Sequence, residues 1–253
     1  MKHILVIGGN NAFGLSCVLY LLQKGFEVTA TYRSDHNSQE LLSLVALRLN
    51  VIRYDVSKGS EDELYRALAS ANLTNIDTII YNADIKGFDP ADAKGKHPVA
   101  KRLMESTGSN LDFLSNTLRS LKKLPSGSEN RQFIYINPMW RTNIIPLRKN
   151  AFFSKIRDIA ILYDDKFTCG SVVLEPKSNS MAELVTDFMK LIDQIAVTKD
   201  SGAVWSSNGR QLETYFEDDF EFTSATEFPL ILRLPPTKED QADKRKKRPC
   251  VIL

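Results

Sequence analysis

The 253-residue sequence holds only three cysteines, three histidines and two tryptophans, and its 33 basic and 31 acidic side chains nearly cancel. Cys17, Cys169 and Cys250 are odd in number and far apart, which excludes a disulfide framework and a cysteine-based zinc site. No metal centre is expected, and the usage suits a reducing compartment. No stretch reaches the ~18 uncharged apolar residues of a membrane span. Met1-Lys2-His3 runs directly into Ile4-Leu5-Val6-Ile7, which reads as a first strand and not as a signal peptide. A net charge of +2 leaves no electrostatic footprint for nucleic acid, so no such partner is expected. That average conceals an asymmetry. The run Lys244-Arg245-Lys246-Lys247-Arg248 supplies five positive charges, and without it 28 basic residues face 31 acidic ones, a body at −3.

What is present is an alternation. Short β-rich apolar runs (Ile4–Ile7, Glu27–Tyr32, Asn50–Tyr54, Thr78–Tyr81, Gln132–Ile136 and Phe167–Leu174) are separated by helix-period segments. Leu15, Val18, Leu19 and Leu22 share one face of a helix over Leu15–Lys24, which Gly25 closes. Glu61–Ala71, Leu111–Lys123, Ala151–Tyr163 and Met181–Ala196 read as further helices. The pattern predicts an α/β fold, a Rossmann-like doubly wound parallel sheet with helices on both faces. In such a sheet the ligand crevice lies at the carboxyl ends of the strands, where the strand order reverses. At this length a chain buries roughly 70–75% of its unfolded surface and needs no staples. We expect one domain over residues 1–234, followed by a flexible tail over 235–253, because apolar periodicity stops at Pro235 and Lys238–Pro249 is mostly charged.

The first strand opens onto Gly8-Gly9-Asn10-Asn11-Ala12-Phe13-Gly14, at the start of the first helix. Glycine lets backbone approach a pyrophosphate, and the helix N-terminus supplies N–H groups and partial positive charge. An ordinary strand-to-helix turn can also be rich in glycine; placement between a strand and an amphipathic helix favours the nucleotide. Gly8, Asn10, Asn11, Phe13 and Gly14 are therefore candidate cofactor contacts. At the end of the second strand stands Arg33, where an acidic residue would accept from ribose hydroxyls. A guanidinium there favours the 2′-phosphate of NADP(H) over NAD(H). A site that holds no cofactor is the remaining alternative.

These residues together resemble the short-chain dehydrogenase/reductase family over about residues 3–213. The family's Gly-x-x-x-Gly-x-Gly turn aligns with Gly8, Ala12 and Gly14; a Gly-x-x-Gly-x-x-Gly register would instead put Asn11 at the middle glycine. Asp55-Val56 is similar to the pair that holds the adenine, and Asn82-Ala83 to the core of the Asn-Asn-Ala-Gly segment after the fourth strand. Ser201–Trp205 with Asn208-Gly209 resembles the family's last strand and turn.

The resemblance implies a catalytic set that this chain keeps only in part. The family uses a tyrosine to donate a proton to the substrate carbonyl and a lysine four residues later to hold the ribose, since i and i+4 share a helix face. A serine polarises the carbonyl, and an asparagine anchors a water relay. Ala151-Phe152-Phe153-Ser154-Lys155 aligns with the tyrosine-to-lysine motif, so Lys155 is kept and the tyrosine is Ala151. Pro138 falls where the serine belongs, and Asn110 matches the asparagine. Losing a general acid costs ~10²–10⁴ in rate. Tyr54 and Lys58 repeat the interval, but they lie on the third strand and its exit and are read as coincidence. Glu175–Ser180 leads at once into the Met181 helix and leaves almost no substrate lid.

The last four residues, Cys250-Val251-Ile252-Leu253, form a Cys-aliphatic-aliphatic-X ending, whose leucine favours geranylgeranylation at Cys250. One lipid chain binds membranes marginally, and the basic run supplies the second signal. The run alone would read as a nuclear import signal. The expected partners are a prenyl transferase and an anionic membrane surface, and the expected place is the cytoplasm, peripheral on the cytosolic face of a membrane. A homo-oligomer through the Leu111–Lys123 and Ala151–Tyr163 helices stays open. Two functions are carried forward: a tethered NADP(H)-binding module without efficient catalysis, and an oxidoreductase with a non-standard proton donor.

Overall fold

Parallel strands covered on both faces are rich in apolar residues, and β1 (His3–Ile7) buries all five of its residues: four are apolar, and His3 is paired through its ring with Thr29 Oγ1 at 2.8 Å and the Asn75 carbonyl at 3.0 Å. The computed structural model describes residues 2–34, 38–58, 60, 62–73, 75–83, 99–125, 131–137, 158, 161–162, 167–174, 180–198, 203–206 and 211–212. The further strands are β2 (Glu27–Tyr32), β3 (Leu49–Arg53), β4 (Thr78–Tyr81), β5 (Gln132–Asn137), β6 (Thr168–Val173), β7 (Ala203–Ser206) and β8 (Gln211–Leu212). They form one sheet in the order β3-β2-β1-β4-β5-β6-β7-β8. All neighbours are parallel except β8, which runs antiparallel to β7. The order reverses between β1 and β4, so a crevice opens at the carboxyl ends of those two strands.

Alternation along the strands builds two cores. Leu5, Ile7, Ile79, Tyr81, Phe133 and Tyr135 face the layer of α3 (Glu63–Ser70) and α4 (Val99–Lys122). Ile4, Val6, Val28, Ala30, Ile80 and Ile134 face α1 (Ala12–Gln23) and α5 (Met181–Thr198). Each large apolar side chain so buried contributes ~1.5–3 kcal/mol. Phe13 and Phe188 meet edge to face, centroids 5.4 Å apart, which ties the first turn of α1 to α5. Cys17 and Cys169 are fully buried, as small core residues should be.

The helix ends follow from local chemistry. Gly25 adopts φ +81°, and its N–H donates to the Leu22 carbonyl at 3.0 Å while Phe26 N–H reaches the Leu21 carbonyl at 3.1 Å. This is a Schellman stop, with Gly25 one residue beyond the capping position held by Lys24. Asn72, at φ +57°, ends α3 in the same way, with Leu73 N–H donating to Leu68 O at 2.9 Å.

The six expected strands are present, each with ends shifted by one residue at most. The chief differences lie elsewhere. Helix α4 begins at Val99, twelve residues before Leu111, because Lys101, Arg102, Glu105 and Gly108 dilute the apolar period there. Helix α2 (Gln39–Ser43), the 3₁₀ turn Leu44–Leu47 and β8 were not expected; elements this short carry too few periods to read. Of the Ala151–Tyr163 helix only residues 158, 161 and 162 are described, and they are helical. The Tyr215–Leu234 segment and the 235–253 tail lie outside the described residues.

Candidate functional site

The site grows from the junction of β1 and α1. Gly8 adopts φ +84°, and a Cβ there would lie 2.8 Å from the Asn82 carbonyl oxygen. Only glycine meets both conditions. A Cβ on Gly14 would collide with the Gly8 carbonyl oxygen and come within 2.8 Å of Asn82 Nδ2. The turn is thus packed tightly against the exit of β4. Gly8 N–H donates to Thr31 Oγ1 at 3.1 Å and Gly9 N–H to the Thr31 carbonyl at 2.8 Å, so β2 takes up the first two donors of the loop.

Asn11 is the N-cap of α1, at φ −90° and ψ 164°, and its Oδ1 accepts from Gly14 N–H at 2.8 Å. Capping the third helical N–H leaves those of Ala12 and Phe13 in the first turn without an intrahelical acceptor. No acidic residue lies in that turn to offset the positive end of the helix. These groups face the crevice end of the sheet, where an anion would sit. Neither middle-glycine register requires a glycine on conformational grounds, since Asn11 is extended and Ala12 is helical.

Asn82, one residue past β4, joins the loop from the other side. Its Nδ2 donates to Asn11 Oδ1 at 2.7 Å and to the Gly8 carbonyl at 3.3 Å. In return Asn11 Nδ2 donates to the Asn82 carbonyl at 3.0 Å. Asn82 N–H continues the sheet ladder to the Ile7 carbonyl at 2.9 Å. Ala83 follows and packs on the α3/α4 core.

The remaining cofactor candidates stand along the same edge. Arg33 is exposed one residue beyond β2. Asp55 and Val56 follow β3; Asp55 Oδ1 accepts from Ser57 N–H at 3.0 Å and from Ser57 Oγ at 2.6 Å, and Val56 is buried. Gly8, Asn10, Asn11, Phe13, Gly14, Arg33, Asp55, Val56, Asn82 and Ala83 therefore all fall at the carboxyl end of one sheet. The Phe13 ring is committed to Phe188, so only its backbone is available to a ligand. Thr31 belongs to the site as the residue that fixes Gly8 and Gly9; a hydroxyl on the penultimate residue of β2 is its signal in the sequence. The fit to a dinucleotide is good: a Cβ-free floor, first-turn N–H groups without an intrahelical acceptor, and a cation at the β2 exit.

The catalytic positions are less fully described. Asn110 lies on α4, with only its backbone described, and Pro138, Ala151 and Lys155 lie outside the described residues. So does Cys250. Tyr54 is 2% exposed, and its hydroxyl meets Thr117 Oγ1 at 3.1 Å inside the core. The phenol is thus held in the core and not in the crevice. Among the described residues no group of three or more His, Cys, Asp or Glu side chains could hold a metal ion. Among them, too, no helix is long and apolar enough to cross a membrane.

Comparison with known proteins agrees with this geometry. The family model for short chain dehydrogenase matches residues 2–107. No curated protein matches. A carbonyl reductase from Pseudomonas aeruginosa PAO1 in complex with NADP superposes with a TM-score of 0.65 at 17% identity, covering 84% of this chain and 99% of that one. An oxidoreductase from E. coli superposes with a TM-score of 0.63 at 14% identity, covering 81% and 94%. By residues 2–107 the chain is similar to the short chain dehydrogenase family, and by fold, over more than four-fifths of its length, to these oxidoreductases.

Proposed function

We propose that this chain is a short-chain dehydrogenase/reductase-type module that binds NADP(H) and has lost efficient carbonyl reduction. The observation that carries the reading is a pairing. The glycine turn, Asn11, Asn82 and Arg33 stand where a dinucleotide would be held, while Ala151 and Pro138 replace the two residues that would touch a reacting oxygen. Losing the proton donor and the carbonyl-polarising donor together removes most of the chemical advantage of such a site. Lys155 retains a use as a ribose ligand, since that role needs only N–H donors. The bound cofactor would supply redox chemistry in an active relative; here it serves as the ligand of a scaffold or sensor. The carbonyl reductase of similar fold is seen with NADP, which supports the choice of ligand.

The module is tethered, in this reading, by geranylgeranylation of Cys250 and by Lys244–Arg248 on an anionic, cytosol-facing membrane. The second reading is an oxidoreductase in which a water held by Asn110 and Lys155 donates the proton to an easily reduced substrate. It is favoured by the retention of those two residues.

Purified full-length protein titrated with NADPH, followed by absorbance during incubation with aldehydes and quinones, separates the two. Saturable binding without turnover supports the module. Turnover that Lys155→Ala abolishes establishes the second reading, and absence of binding to either nicotinamide overturns both.

A further inference from the structure

We infer that Asn11 and Asn82 form a positioning latch that sets the dinucleotide loop before ligand arrives, an inference that rests on the nucleotide-binding reading above. The two residues are 71 positions apart and belong to different connections of the sheet. The Asn11 carboxamide both accepts from and donates to Asn82: its Oδ1 accepts from Asn82 Nδ2 at 2.7 Å, and its Nδ2 donates to the Asn82 backbone carbonyl at 3.0 Å. Asn82 Nδ2 also holds the Gly8 carbonyl at 3.3 Å, so one amide grips both ends of the turn from Gly8 to Asn11.

The consequence for a ligand follows from the second task of Asn11. Its Oδ1 caps Gly14 N–H at 2.8 Å, so the direction of the Ala12 and Phe13 N–H groups follows the orientation of that carboxamide. A loop free to shift against β4 would have to be ordered on binding, and that ordering subtracts from affinity. Asn82 ties the cap to the sheet and removes part of that cost. Neither side chain need touch the cofactor to act in this way. Both are positioning residues.

The test is a double-mutant cycle on the full-length chain, with NADPH affinity read by calorimetry and unfolding followed without ligand. Asn11→Ala and Asn82→Ala should each weaken NADPH binding by about three- to tenfold, and the double variant by little more than the worse single one, since residues sharing one network are not additive. Asn11→Ser keeps an N-cap acceptor for Gly14 and removes both bonds to Asn82. Weaker binding at nearly unchanged thermal stability supports the latch; wild-type affinity in this variant assigns the role of Asn11 to capping alone and overturns it. Strictly multiplicative losses in the cycle, or wild-type affinity in Asn82→Ala, also overturn it while leaving the cofactor reading intact. A wild-type chain that does not bind NADPH removes the cofactor reading, and this inference with it.

Discussion

The hydroxyls of Tyr54 and Thr117 meet at 3.1 Å in the core between β3 and α4, and Thr117 Oγ1 donates on to the Phe113 carbonyl at 2.9 Å. With its own proton directed to Phe113, Thr117 accepts from the phenol. Tyr54→Phe removes one buried donor and leaves the Thr117–Phe113 bond. Urea unfolding should show a loss of about 0.5–1.5 kcal/mol. NADPH affinity should not change, because the phenol faces away from the crevice.

Stability should fall in alkali. Burial pushes the Cys17 thiol well above its ordinary value, and burial is also the largest cause raising the Tyr54 phenol, with the Glu63 and Asp55 charges adding to it. Both groups stay protonated longest in the folded state, so the unfolded chain releases its protons first. The contribution is intact below the unfolded values, near pH 8.5 for the thiol and about 10 for the phenol, and declines as pH rises above them. Urea midpoints measured from neutral pH to pH 11 check the slope. In Cys17→Ala the decline should begin later than in wild type.

Two glycine substitutions should separate conformation from space. At Gly25, φ is +81° and nothing lies within 4 Å of an added Cβ, so Gly25→Ala should cost only the left-handed penalty, about 1–2 kcal/mol. At Gly14 an added Cβ meets the Gly8 carbonyl and Asn82 Nδ2, and α1 must shift. Gly14→Ala should cost about 1–3 kcal/mol and also weaken NADPH binding, whereas Gly25→Ala should leave binding unchanged. Thermal melts with and without NADPH give both quantities.

Arg33→Asp replaces an exposed cation at the β2 exit with an anion. NADPH affinity should fall by at least about tenfold relative to NADH, from loss of a charge-assisted contact and gain of repulsion. Parallel titrations with the two cofactors read the ratio. An unchanged ratio would remove Arg33 from the site.

Cys250→Ser should move the chain from membranes to the soluble fraction of lysed cells, and neutralising Lys244–Arg248 should have a similar effect that added salt mimics. At ~1 kcal/mol per cation near an anionic surface, five charges added to one lipid would exceed what either supplies. An unchanged distribution in Cys250→Ser would refute the anchor.

The sequence alone determined the layer plan, because strands buried on both faces must be predominantly apolar and their helices must carry a 3.6-residue period. The Ile4–Ile7 run, Gly25 and the placement of Gly8–Gly14 announced a doubly wound sheet with a crevice beside β1. Short or diluted elements stayed hidden: α2 spans too few turns for a period to show, and polar residues and Gly108 mask the first half of α4. Only the tertiary structure decided which polar groups meet. Asn11 and Asn82 each looked like a separate contact, yet Asn82 reaches Asn11 because β1 and β4 are neighbours at the reversal of strand order. Tyr54 and Lys58 had the spacing of a catalytic pair, and burial against Thr117 removed the phenol from the crevice. Local periodicity encodes elements, whereas a contact between residues 71 positions apart depends on strand order and on which face each side chain takes.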